Sequence, residues 1–523
     1  MELPLTPLEF ARRARKLYPH REAVIDGESR WTYAQFFHRC DRFSSALQRM
    51  GLEQGDRVAI IAPNTHAMLE SFYAVPQLGA VIVPLNYRLS PQDFAYMIQQ
   101  SGARFVCAHA DYLEAVDSIR DELPNVERFI AFEGTRHGWL DYESSLAECS
   151  TEFKRPAIAE SDLLAINYTS GTTARPKGVM ITHRNAWMNS IGVLVHHSMT
   201  AAERFLWTLP MFHANGWTFV WTVTAVGGVH VCLRKMDAVT MYEGIARERI
   251  TMLCAAPTVL ITIANAPAEL RREVRRGIRV LTGGAAPAAA TIERMEGELG
   301  WEITQIYGLT ETAPIITVCE PRPEDGQLKA DARGVLKARQ GVELITAGEV
   351  TVIDDGGNDV PRDGRTLGEI VARGNLVMQG YYQDPEATEQ AFRGGWFHTG
   401  DAAVIHPDGY IEIRDRFKDV IISGGENISS IEIEGALLRH PAVQEVAVVG
   451  VPDQKWGETP HAFVVLRRDA AVTAEELHHF CRDRMAHFKV PGHFSFIGEL
   501  PKTATGKIQK FMLRNKHNAI NAQ

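Results

Sequence analysis

A chain of 523 residues is too long for one hydrophobic core, so its length predicts two or more domains. The net charge of −9 argues against the basic surface that nucleic-acid binding requires, and an apolar content of 45% is ordinary for a globular protein. The seven cysteines are scattered and never form a C-x-x-C pair, which argues against a disulfide framework or a zinc site and favours a reducing cytoplasm.

The N-terminal part alternates helical patterns with short apolar runs. Its first residues lack the basic start and apolar run of a signal peptide. An amphipathic stretch over 31–50 ends at Gly51, as helices often do. Strands separated by helices favour parallel sheets covered on both faces. The runs that predict buried strands are 56–62, 80–84, 105–108, 128–132, 229–233, 252–255 and 279–281.

Residues 205–233 carry no charged side chain and are numerous enough to cross a bilayer. Pro210, Asn215, Gly216 and the Gly227-Gly228 pair interrupt the stretch. We therefore predict a buried strand–turn–helix–strand passage and no transmembrane segment.

The pattern changes after about Gly334. Residues 348–353, 368–373 and 410–414 alternate apolar with polar side chains, which predicts a small antiparallel or barrel-like sheet. After a boundary near Lys418, the remaining residues predict a small α+β domain. Its elements are a strand, a helix (431–440), two strands (443–451 and 461–466), a helix (474–485) and a Lys/Gly-rich tail.

The strongest motif is Tyr168-Thr-Ser-Gly-Thr-Thr-Ala-Arg-Pro-Lys-Gly-Val, which follows a short apolar run. Small hydroxylated residues around Gly171 can direct their N–H groups and hydroxyls toward one anion, and Lys177 adds a positive charge. The Walker A pattern G-x-x-x-x-G-K-[ST] is not met here or at Gly506-Lys507. The motif therefore indicates a phosphate-binding loop of another kind.

This loop resembles that of the adenylate-forming superfamily, which includes acyl-CoA synthetases, peptide-synthetase adenylation domains and beetle luciferases. Further motifs follow in that superfamily's order, so the resemblance spans the chain. They are Gln305-Ile-Tyr-Gly-Leu-Thr-Glu-Thr, Gly380-Tyr-Tyr-Gln-Asp-Pro-Glu-Ala-Thr, Trp396-Phe-His-Thr-Gly-Asp, Arg414-Asp-Arg-Phe-Lys-Asp-Val-Ile-Ile-Ser-Gly-Gly-Glu-Asn-Ile and Pro501-Lys-Thr-Ala-Thr-Gly-Lys-Ile. The resemblance implies an α/β N-terminal domain of two sheets flanked by helices plus a small barrel-like sheet (1–414), a hinge (415–419) and a mobile α+β C-terminal domain (420–523).

By this resemblance we expect ATP and Mg²⁺ in the N-terminal domain. Tyr307 would stack on adenine, Asp401 would bind the ribose hydroxyls, and Thr169 and Glu311 would hold the metal. The full nucleotide set that the resemblance implies is Thr169, Ser170, Gly171, Thr172, Thr173, Lys177, Gly283, Gly284, Ala285, Gln305, Ile306, Tyr307, Gly308, Thr310, Asp401, Arg416 and Lys418.

The reaction explains why a lysine is expected at the tail. A carboxylate must attack the α-phosphate of ATP, so two anions meet and positive charge is needed where they do. The resemblance assigns this to Lys507, with Lys418 as the pivot of a hinge that exchanges two faces of the C-terminal domain. The turn implied to line the thiol tunnel comprises Ser423, Gly424, Gly425, Glu426 and Asn427.

The segment Leu209-Pro-Met-Phe-His-Ala-Asn-Gly-Trp resembles the acyl-pocket motif of fatty acyl-CoA synthetases. The matching residues are His213 beside the acyl carbonyl and Trp217 as a gate, and Trp221 is expected in the same pocket. Without the resemblance, His213 reads as a hydrogen-bonded core histidine and Trp217 as core filling. Ala174 stands where the superfamily usually has glycine, and we expect a tolerated variant there.

The leading hypothesis is an ATP-dependent, AMP-forming ligase that joins a fatty, thio-substituted or aryl acid to coenzyme A. A carrier-protein ligase and a luciferase-like oxygenase are the alternatives, because both share the first half-reaction. We expect a cytoplasmic protein whose partners are the acid, ATP and coenzyme A, without nucleic acid; a homodimer is one assembly that this interpretation allows.

Overall fold

The computed structural model describes residues 2–169, 175–272, 274–285, 287, 289–423, 426–453, 456–502 and 508–521. Its described strands form four sheets, two large, one small and antiparallel, and one in the C-terminal region. This arrangement confirms the predicted α/β class with a smaller sheet and a small α+β C-terminal part.

The described strands are numbered in chain order. They are β1 (Glu22–Asp26), β2 (Ser29–Thr32), β3 (Arg57–Ile61), β4 (Val81–Pro84), β5 (Phe105–His109), β6 (Arg128–Phe132), β7 (Leu140–Asp141), β8 (Leu163–Thr169), β9 (Lys177–Thr182), β10 (Arg204–Leu206), β11 (Val229–Cys232), β12 (Met252–Ala255), β13 (Arg279–Thr282), β14 (Glu302–Gly308), β15 (Ile315–Val318), β16 (Val342–Glu343), β17 (Glu349–Ile353), β18 (Gly368–Arg373), β19 (Gly380–Tyr381), β20 (Phe397–Ile405), β21 (Ile411–Arg416), β22 (Ile421–Ser423), β23 (Glu426–Ile428), β24 (Val443–Asp453), β25 (Gly457–Leu466) and β26 (His493–Phe496).

The described α-helices are numbered in the same way. They are α1 (Leu8–Leu17), α2 (Tyr33–Arg49), α3 (His66–Ala74), α4 (Pro91–Ser101), α5 (Leu113–Asp117), α6 (Tyr142–Ala147), α7 (His183–His196), the single turn α8 (Ala214–Trp217), α9 (Phe219–Val226), α10 (Ala238–Glu248), α11 (Pro257–Ala264), α12 (Ala268–Arg272), α13 (Ala289–Arg294), α14 (Ala330–Lys337), α15 (Pro385–Ala391), α16 (Ser430–Leu437), α17 (Ala474–Arg482) and α18 (Lys510–Asn521).

The two large sheets are parallel in their centres; the nine-stranded sheet is antiparallel at both edges and the eight-stranded sheet at one. The nine-stranded sheet runs β16-β15-β14-β13-β12-β10-β11-β1-β2, and the eight-stranded sheet runs β19-β9-β8-β4-β3-β5-β6-β7. In the nine-stranded sheet, the neighbours β11, β10, β12, β13 and β14 pair in parallel. In the eight-stranded sheet, the neighbours β8, β4, β3 and β5 do so. The carboxyl ends of such strands meet at one edge, where ligands of open α/β sheets bind.

Helices α3 and α9 are buried on all sides between the two large sheets. Both are apolar around most of their circumference, which is typical of helices inside a core rather than on its surface. Their side chains share one cluster with inward residues of both sheets, among them Val58, Ile82 and Phe205. One core thus unites the two sheets.

Local signals explain several boundaries. Helix α2 begins after a capping box at Thr32 and is followed by Gly51 at φ 98°, which confirms the predicted stop. Thr182 caps α7 in the same manner. The predicted strands of the N-terminal part all form, within one or two residues at each end.

The uncharged passage folds as β10, a turn with α8 and α9, and β11, which confirms the prediction. Across the described ranges, no helix is both apolar and long enough to span a bilayer.

The four-stranded sheet runs β17-β18-β20-β21, and its pairs are antiparallel. Asp401 lies within β20 and opposite Arg416 of β21, so it belongs to a strand rather than to a turn before one. The sheet therefore aligns these two site candidates by register.

The C-terminal sheet runs β23-β22-β25-β24, with β26 beside β25. A single turn, Phe417–Asp419, connects β21 to β22 at the place predicted for the hinge. The Lys/Gly-rich tail contains α18, whose Leu513 is buried against one face of this sheet.

Candidate functional site

Gly283 and Gly284 follow β13 directly, at the carboxyl edge of the nine-stranded sheet. A side chain at Gly283 would lie 2.9 Å from the Ile306 carbonyl oxygen and 3.2 Å from the Trp217 ring, and Gly284 has φ 83°. Both positions therefore require glycine, for close approach and for backbone conformation respectively. Ala285 completes this exposed turn.

Thr282 and Gln305 lie opposite each other in β13 and β14, beside this turn. Thr282 Oγ1 and Gln305 Oε1 are buried and have no hydrogen-bond partner among the described residues. Buried polar atoms without partners are uncommon, and they are concentrated where a ligand completes the hydrogen bonding. This supports the expectation that the edge near Gln305 binds a polar ligand.

Tyr307, Asp401 and Arg416 meet at the junction of the nine-stranded and four-stranded sheets. The Tyr307 hydroxyl donates to Asp401 Oδ2 over 2.8 Å, and Arg416 Nε lies 3.2 Å from Asp401 Oδ1. Burial and the charge of Asp401 raise the pKa of Tyr307, so its hydroxyl stays a donor. The Asp401 carboxylate is held in one orientation from both sides.

A second group joins Glu311, Tyr381 and Lys177. The Tyr381 hydroxyl donates to Glu311 Oε1 over 3.0 Å, while the Lys177 ammonium lies 4.9 Å from the centre of the Tyr381 ring. Thr169 lies opposite Lys177 in the β8–β9 pair. Burial raises the pKa of Glu311, against the hydrogen bond from Tyr381 that lowers it. Such a desolvated carboxylate is a strong site for a cation.

Gly308, Thr310 and Glu311 belong to one tight turn after β14. A side chain at Gly308 would overlap the Pro314 carbonyl oxygen, at 1.7 Å. Thr312 closes the turn, because its hydroxyl accepts from Leu309 N over 2.8 Å and donates to Pro314 O over 2.7 Å. The turn therefore fixes the backbone position from which the Glu311 side chain extends.

The acyl-pocket candidates begin at a left-handed turn. Five consecutive residues, 214–218, have φ between 44° and 63°, and four of them are not glycine. Left-handed backbone costs about 1–2 kcal/mol per such residue. Strain of this kind persists where surrounding contacts fix it, often at functional sites.

Buried asparagines supply those contacts. Asn167 Nδ2 donates to Asn215 Oδ1 over 3.1 Å, and Thr218 Oγ1 donates to Asn189 Oδ1 over 3.1 Å. Asn64 Nδ2 donates to the carbonyls of Trp207 and Leu209, and its Oδ1 accepts from Met211 N. The turn that carries Trp217 is thus tied to β8 and α7, and the segment leading into it is tied to the loop before α3.

The three acyl-pocket candidates differ in surroundings. His213 is half-buried at the start of the turn, and its backbone N–H donates to Pro210 O over 3.1 Å. Trp217 is buried beside Gly283. Trp221 is fully buried, and its indole N–H donates to Phe72 O over 3.2 Å. Trp217 adjoins the Gly283 turn at the sheet edge, whereas Trp221 lies in α9 against Phe72 of α3.

The remaining candidates lie on the C-terminal side. Lys418 is exposed in the single turn between β21 and β22. Ser423 lies opposite Glu426 in the β22–β23 pair, next to Asn427. The candidates outside the described residues are Ser170, Gly171, Thr172, Thr173, Gly424, Gly425 and Lys507, as is Ala174.

Sequence reasoning missed Tyr381, Thr312 and the asparagines Asn64, Asn167 and Asn189. Tyr381 stands in the quoted Gly380-Tyr-Tyr motif, and Thr312 ends the Gln305 motif, so position in a motif was an available signal. The asparagines carry no such signal, because only the fold brings them to the 207–218 segment.

Comparison with known proteins identifies the family. Residues 10–382 match the AMP-binding enzyme family and residues 432–507 its C-terminal domain. A 4-hydroxybutyrate–CoA ligase of Metallosphaera sedula is 43% identical over 98% of this chain and 95% of its own. An acetate/butyrate–CoA ligase of Arabidopsis thaliana is 42% identical over 98% and 94%.

Two further similarities agree. A trans-cinnamate:CoA ligase of Petunia hybrida is 39% identical, over 98% of this chain and 94% of its own. The crystal structure of an anthranilate CoA ligase in complex with anthranoyl-AMP aligns over 100% of both chains, with a TM-score of 0.90 and 26% identity. The resemblance seen in the sequence motifs is confirmed, and this chain belongs to the AMP-binding enzyme family.

Proposed function

We propose that this chain is an AMP-forming acid–CoA ligase for a short carboxylic acid. In the first step, the acid's carboxylate attacks the α-phosphorus of ATP, forming acyl-AMP and releasing pyrophosphate. In the second, the thiol of coenzyme A attacks the acyl carbonyl, the bond to AMP breaks, and the thiol proton leaves to solvent. Relatives named as CoA ligases, similar over nearly their whole length, support both steps.

The observation that carries the proposal is the Tyr307–Asp401–Arg416 group at the carboxyl edge of β14. A buried carboxylate fixed by one phenol and one guanidinium has remaining lone pairs with a set direction. Those lone pairs suit the paired hydroxyls of a ribose. Gln305 and the Gly283–Ala285 turn, with Ile306 beneath it, would border the base.

Glu311 and Thr169 fit a magnesium ion. Mg²⁺ takes oxygen ligands and commonly needs only one or two carboxylates besides phosphates and water. The half-buried Glu311 carboxyl, whose pKa is raised by desolvation, would gain from a nearby dication. The ion would offset charge on the ATP phosphates, and Lys177 would add to that effect.

Lys507 is proposed to stabilise the meeting of acid and α-phosphate. Lys507 lies outside the described residues. The described chain before and after it is joined by a β-bridge between Lys502 and Ile508 and by a hydrogen bond of 2.8 Å from Gln509 N to Pro501 O. Residues 415–419 are proposed as the hinge between domains 1–414 and 420–523. Ser423 to Asn427 are proposed to face coenzyme A.

Packing behind Trp217 favours a short acid. Trp207, Phe219 and Trp221 are fully buried, and Gly216 packs against the Trp207 ring so closely that a side chain there would lie 2.6 Å from it. We propose that these rings leave little room behind Trp217 for a long chain. The relatives named for acetate, butyrate and 4-hydroxybutyrate support the same range. We therefore propose a short acid in place of the wider range of fatty, thio-substituted or aryl acids expected from the sequence.

Coenzyme A is favoured over a carrier protein and over oxygen as the second reactant, because the named relatives are CoA ligases. The seven cysteines are buried and unpaired, which supports a reducing compartment such as the cytoplasm, although several plant relatives are named as peroxisomal. A homodimer is retained only as a proposal.

A pyrophosphate-release assay tests the function. Acids of increasing length and an aromatic acid are each supplied with ATP, Mg²⁺ and either coenzyme A or a pantetheinylated carrier. We expect release that depends on a short acid, and a thioester with coenzyme A. Release without any acid, or a thioester only on the carrier, would contradict the proposal.

A further inference from the structure

Two cationic side chains hold helix α18, one against helix α16 and one against the connection between the proposed domains. Lys510 Nζ lies 2.9 Å from Glu434 Oε1 and donates to Ser430 Oγ. Arg514 Nη2 lies 2.8 Å from Asp419 Oδ1. Residues four apart lie on one face of a helix, so this face of α18 points at the connection.

The contact at Lys510 continues through Ser430 to Asp415. The Ser430 N–H and hydroxyl both donate to Asp415 Oδ2, over 2.9 and 2.5 Å. Asp415 is buried and adjoins Arg416, which faces Asp401. A path of three side chains therefore runs from the first residue of α18 to the strand that supports the proposed ribose carboxylate.

The Lys510 ammonium is charged and largely buried, at 14% side-chain exposure. Burial lowers the pKa of a lysine, but the carboxylates of Glu434 and Asp415 outweigh it, so the pKa of Lys510 is raised. Buried ion pairs add little stability compared with apolar side chains of the same volume. Their attested use is to fix one geometry among several, which points to a positioning role.

That geometry bears on the proposed catalytic lysine through the chain itself. Lys507 directly precedes Ile508 in sequence, and Ile508 forms an isolated β-bridge with Lys502. Ile508 and Gln509 lead directly into Lys510. Fixing Lys510 therefore restrains Ile508, the first described residue after Lys507 in the chain.

We propose that Lys510 is a positioning residue for the first half-reaction. With Arg514, it joins α18 to Asp415 and Asp419, so that Lys507 moves together with the hinge and arrives at the site in one set position. The inference rests on the proposed role of Lys507. It predicts that losing the Lys510 contacts affects adenylate formation far more than the thiol step.

Two half-reactions measured separately test it: acid-dependent exchange of pyrophosphate into ATP, and thioester formation from supplied acyl-adenylate. Lys507→Ala is the reference. We expect Lys510→Met to lower the kcat of exchange by about a hundredfold, as misplacement of a catalytic group by about 1 Å can. KM for ATP and acid should change by less than about threefold, as should the thioester rate. Lys510→Arg should recover part of the exchange.

Two further variants separate position from stability. Lys510→Met leaves Glu434 buried and unpaired, whereas the double variant Lys510→Met/Glu434→Gln removes both charges. The double variant should regain thermal stability without regaining exchange. Ser430→Ala keeps both charges and the backbone hydrogen bond to Asp415, and removes only the hydroxyl that links Lys510 to Asp415, so it should lower exchange with little change in Tm.

Lys489→Met is the matched control. Lys489 Nζ lies 2.8 Å from the Glu432 carboxylate, which belongs to α16 like Glu434, and the described contacts of this pair do not include Asp415. It should leave the ratio of the two half-reactions unchanged. Wild-type exchange in the double variant, or equal losses in both half-reactions, would overturn the inference. An inactive wild-type protein would instead contradict the proposed function.

Discussion

The hydroxyl of Tyr381 donates a hydrogen bond to the carboxylate of Glu311 across 3.0 Å, although the two residues are 70 positions apart in sequence. The two-residue strand β19 makes this contact, because Tyr381 lies opposite Val179 on the edge of the eight-stranded sheet. The ring of Tyr381 also supports Lys177. One side chain thus links a proposed metal ligand to a proposed phosphate-binding cation.

Tyr381→Phe should therefore weaken the use of magnesium and ATP. Loss of a hydrogen bond to a charged group costs about 1.5–3 kcal/mol, or roughly tenfold to a hundredfold in an equilibrium constant. We expect the Mg²⁺ concentration for half-maximal pyrophosphate release to rise by at least about tenfold. Tyr381→Leu should in addition raise KM for ATP, because the Lys177 ammonium loses its contact with the Tyr381 ring. Tyr382→Phe is the neighbouring control, and an equal effect there would contradict the assignment.

Gly308→Ala should impair both folding and activity. Its added carbon would lie 1.7 Å from the Pro314 carbonyl oxygen, which belongs to backbone and must be displaced. Overpacking of this kind costs about 1–3 kcal/mol. The displaced turn carries Glu311, so residual activity should also need more Mg²⁺. Gly297→Ala, with open space around the added carbon, should leave unfolding and activity unchanged. Denaturant unfolding and the release assay check both.

Asn215 allows backbone and side-chain effects to be separated in the left-handed turn. Asn215→Gly loses the hydrogen bond from Asn167 but keeps a backbone suited to φ 54°, whereas Asn215→Ala loses both. We expect Ala to be less stable than Gly by about 1 kcal/mol, measured by chemical denaturation. Both should raise KM for the acid. If Ala equals Gly in stability, the turn is not strained as described.

His461 should make the C-terminal part sensitive to acid. Its Nδ1 lies 2.8 Å from Nδ1 of His517 and its Nε2 lies 2.9 Å from Ser495 Oγ, and His493 lies alongside. Burial, with the neighbouring His517 and His493, lowers the pKa of His461 to about 4. An unfolded histidine has a pKa of about 6.5. The stability that His461 contributes is therefore complete above about pH 6.5 and is lost as the pH falls toward 4.

The measurement is the free energy of unfolding between pH 4 and 7 for the wild type and for His461→Gln. The variant should show a smaller loss over that window. Histidines 183, 197 and 230 are also buried with lowered pKa values, but they are the same in both proteins and cancel in the comparison. Parallel curves for the two proteins would contradict the prediction.

Seven strands of the two large sheets, β3 to β6 and β11 to β13, were predicted to within one or two residues, because each is a short apolar run bounded by turn residues. Edge strands such as β2, β7, β16 and β19 were not predicted, because they are short and carry no such run. Helix α2 was predicted with its end, since Gly51 stops it. The tail helix α18 was not, because its stability depends on docking Leu513 and on ion pairs of Lys510 and Arg514 with distant residues. A window of sequence contains no record of such contacts.

The candidate site shows the same division. The resemblance placed Tyr307, Asp401 and Arg416 around one nucleotide, and they do meet, because the β20–β21 register sets Asp401 opposite Arg416 and Tyr307 reaches the same carboxylate. The left-handed backbone at 214–218 was not expected, since three of its residues are alanine, tryptophan and threonine, which rarely adopt it. Tertiary hydrogen bonds from Asn167 and Asn189 override that local preference.

Gly283 lies between the Ile306 carbonyl and the Trp217 ring, so one residue without a side chain separates the proposed nucleotide strand from the proposed acid segment. Enlarging the acid space on that side would also move the support of the base. Divergence in acid preference among descendants of this chain should therefore accumulate at residues that do not contact Gly283, such as Trp207 and Trp221, while Gly283 stays constant.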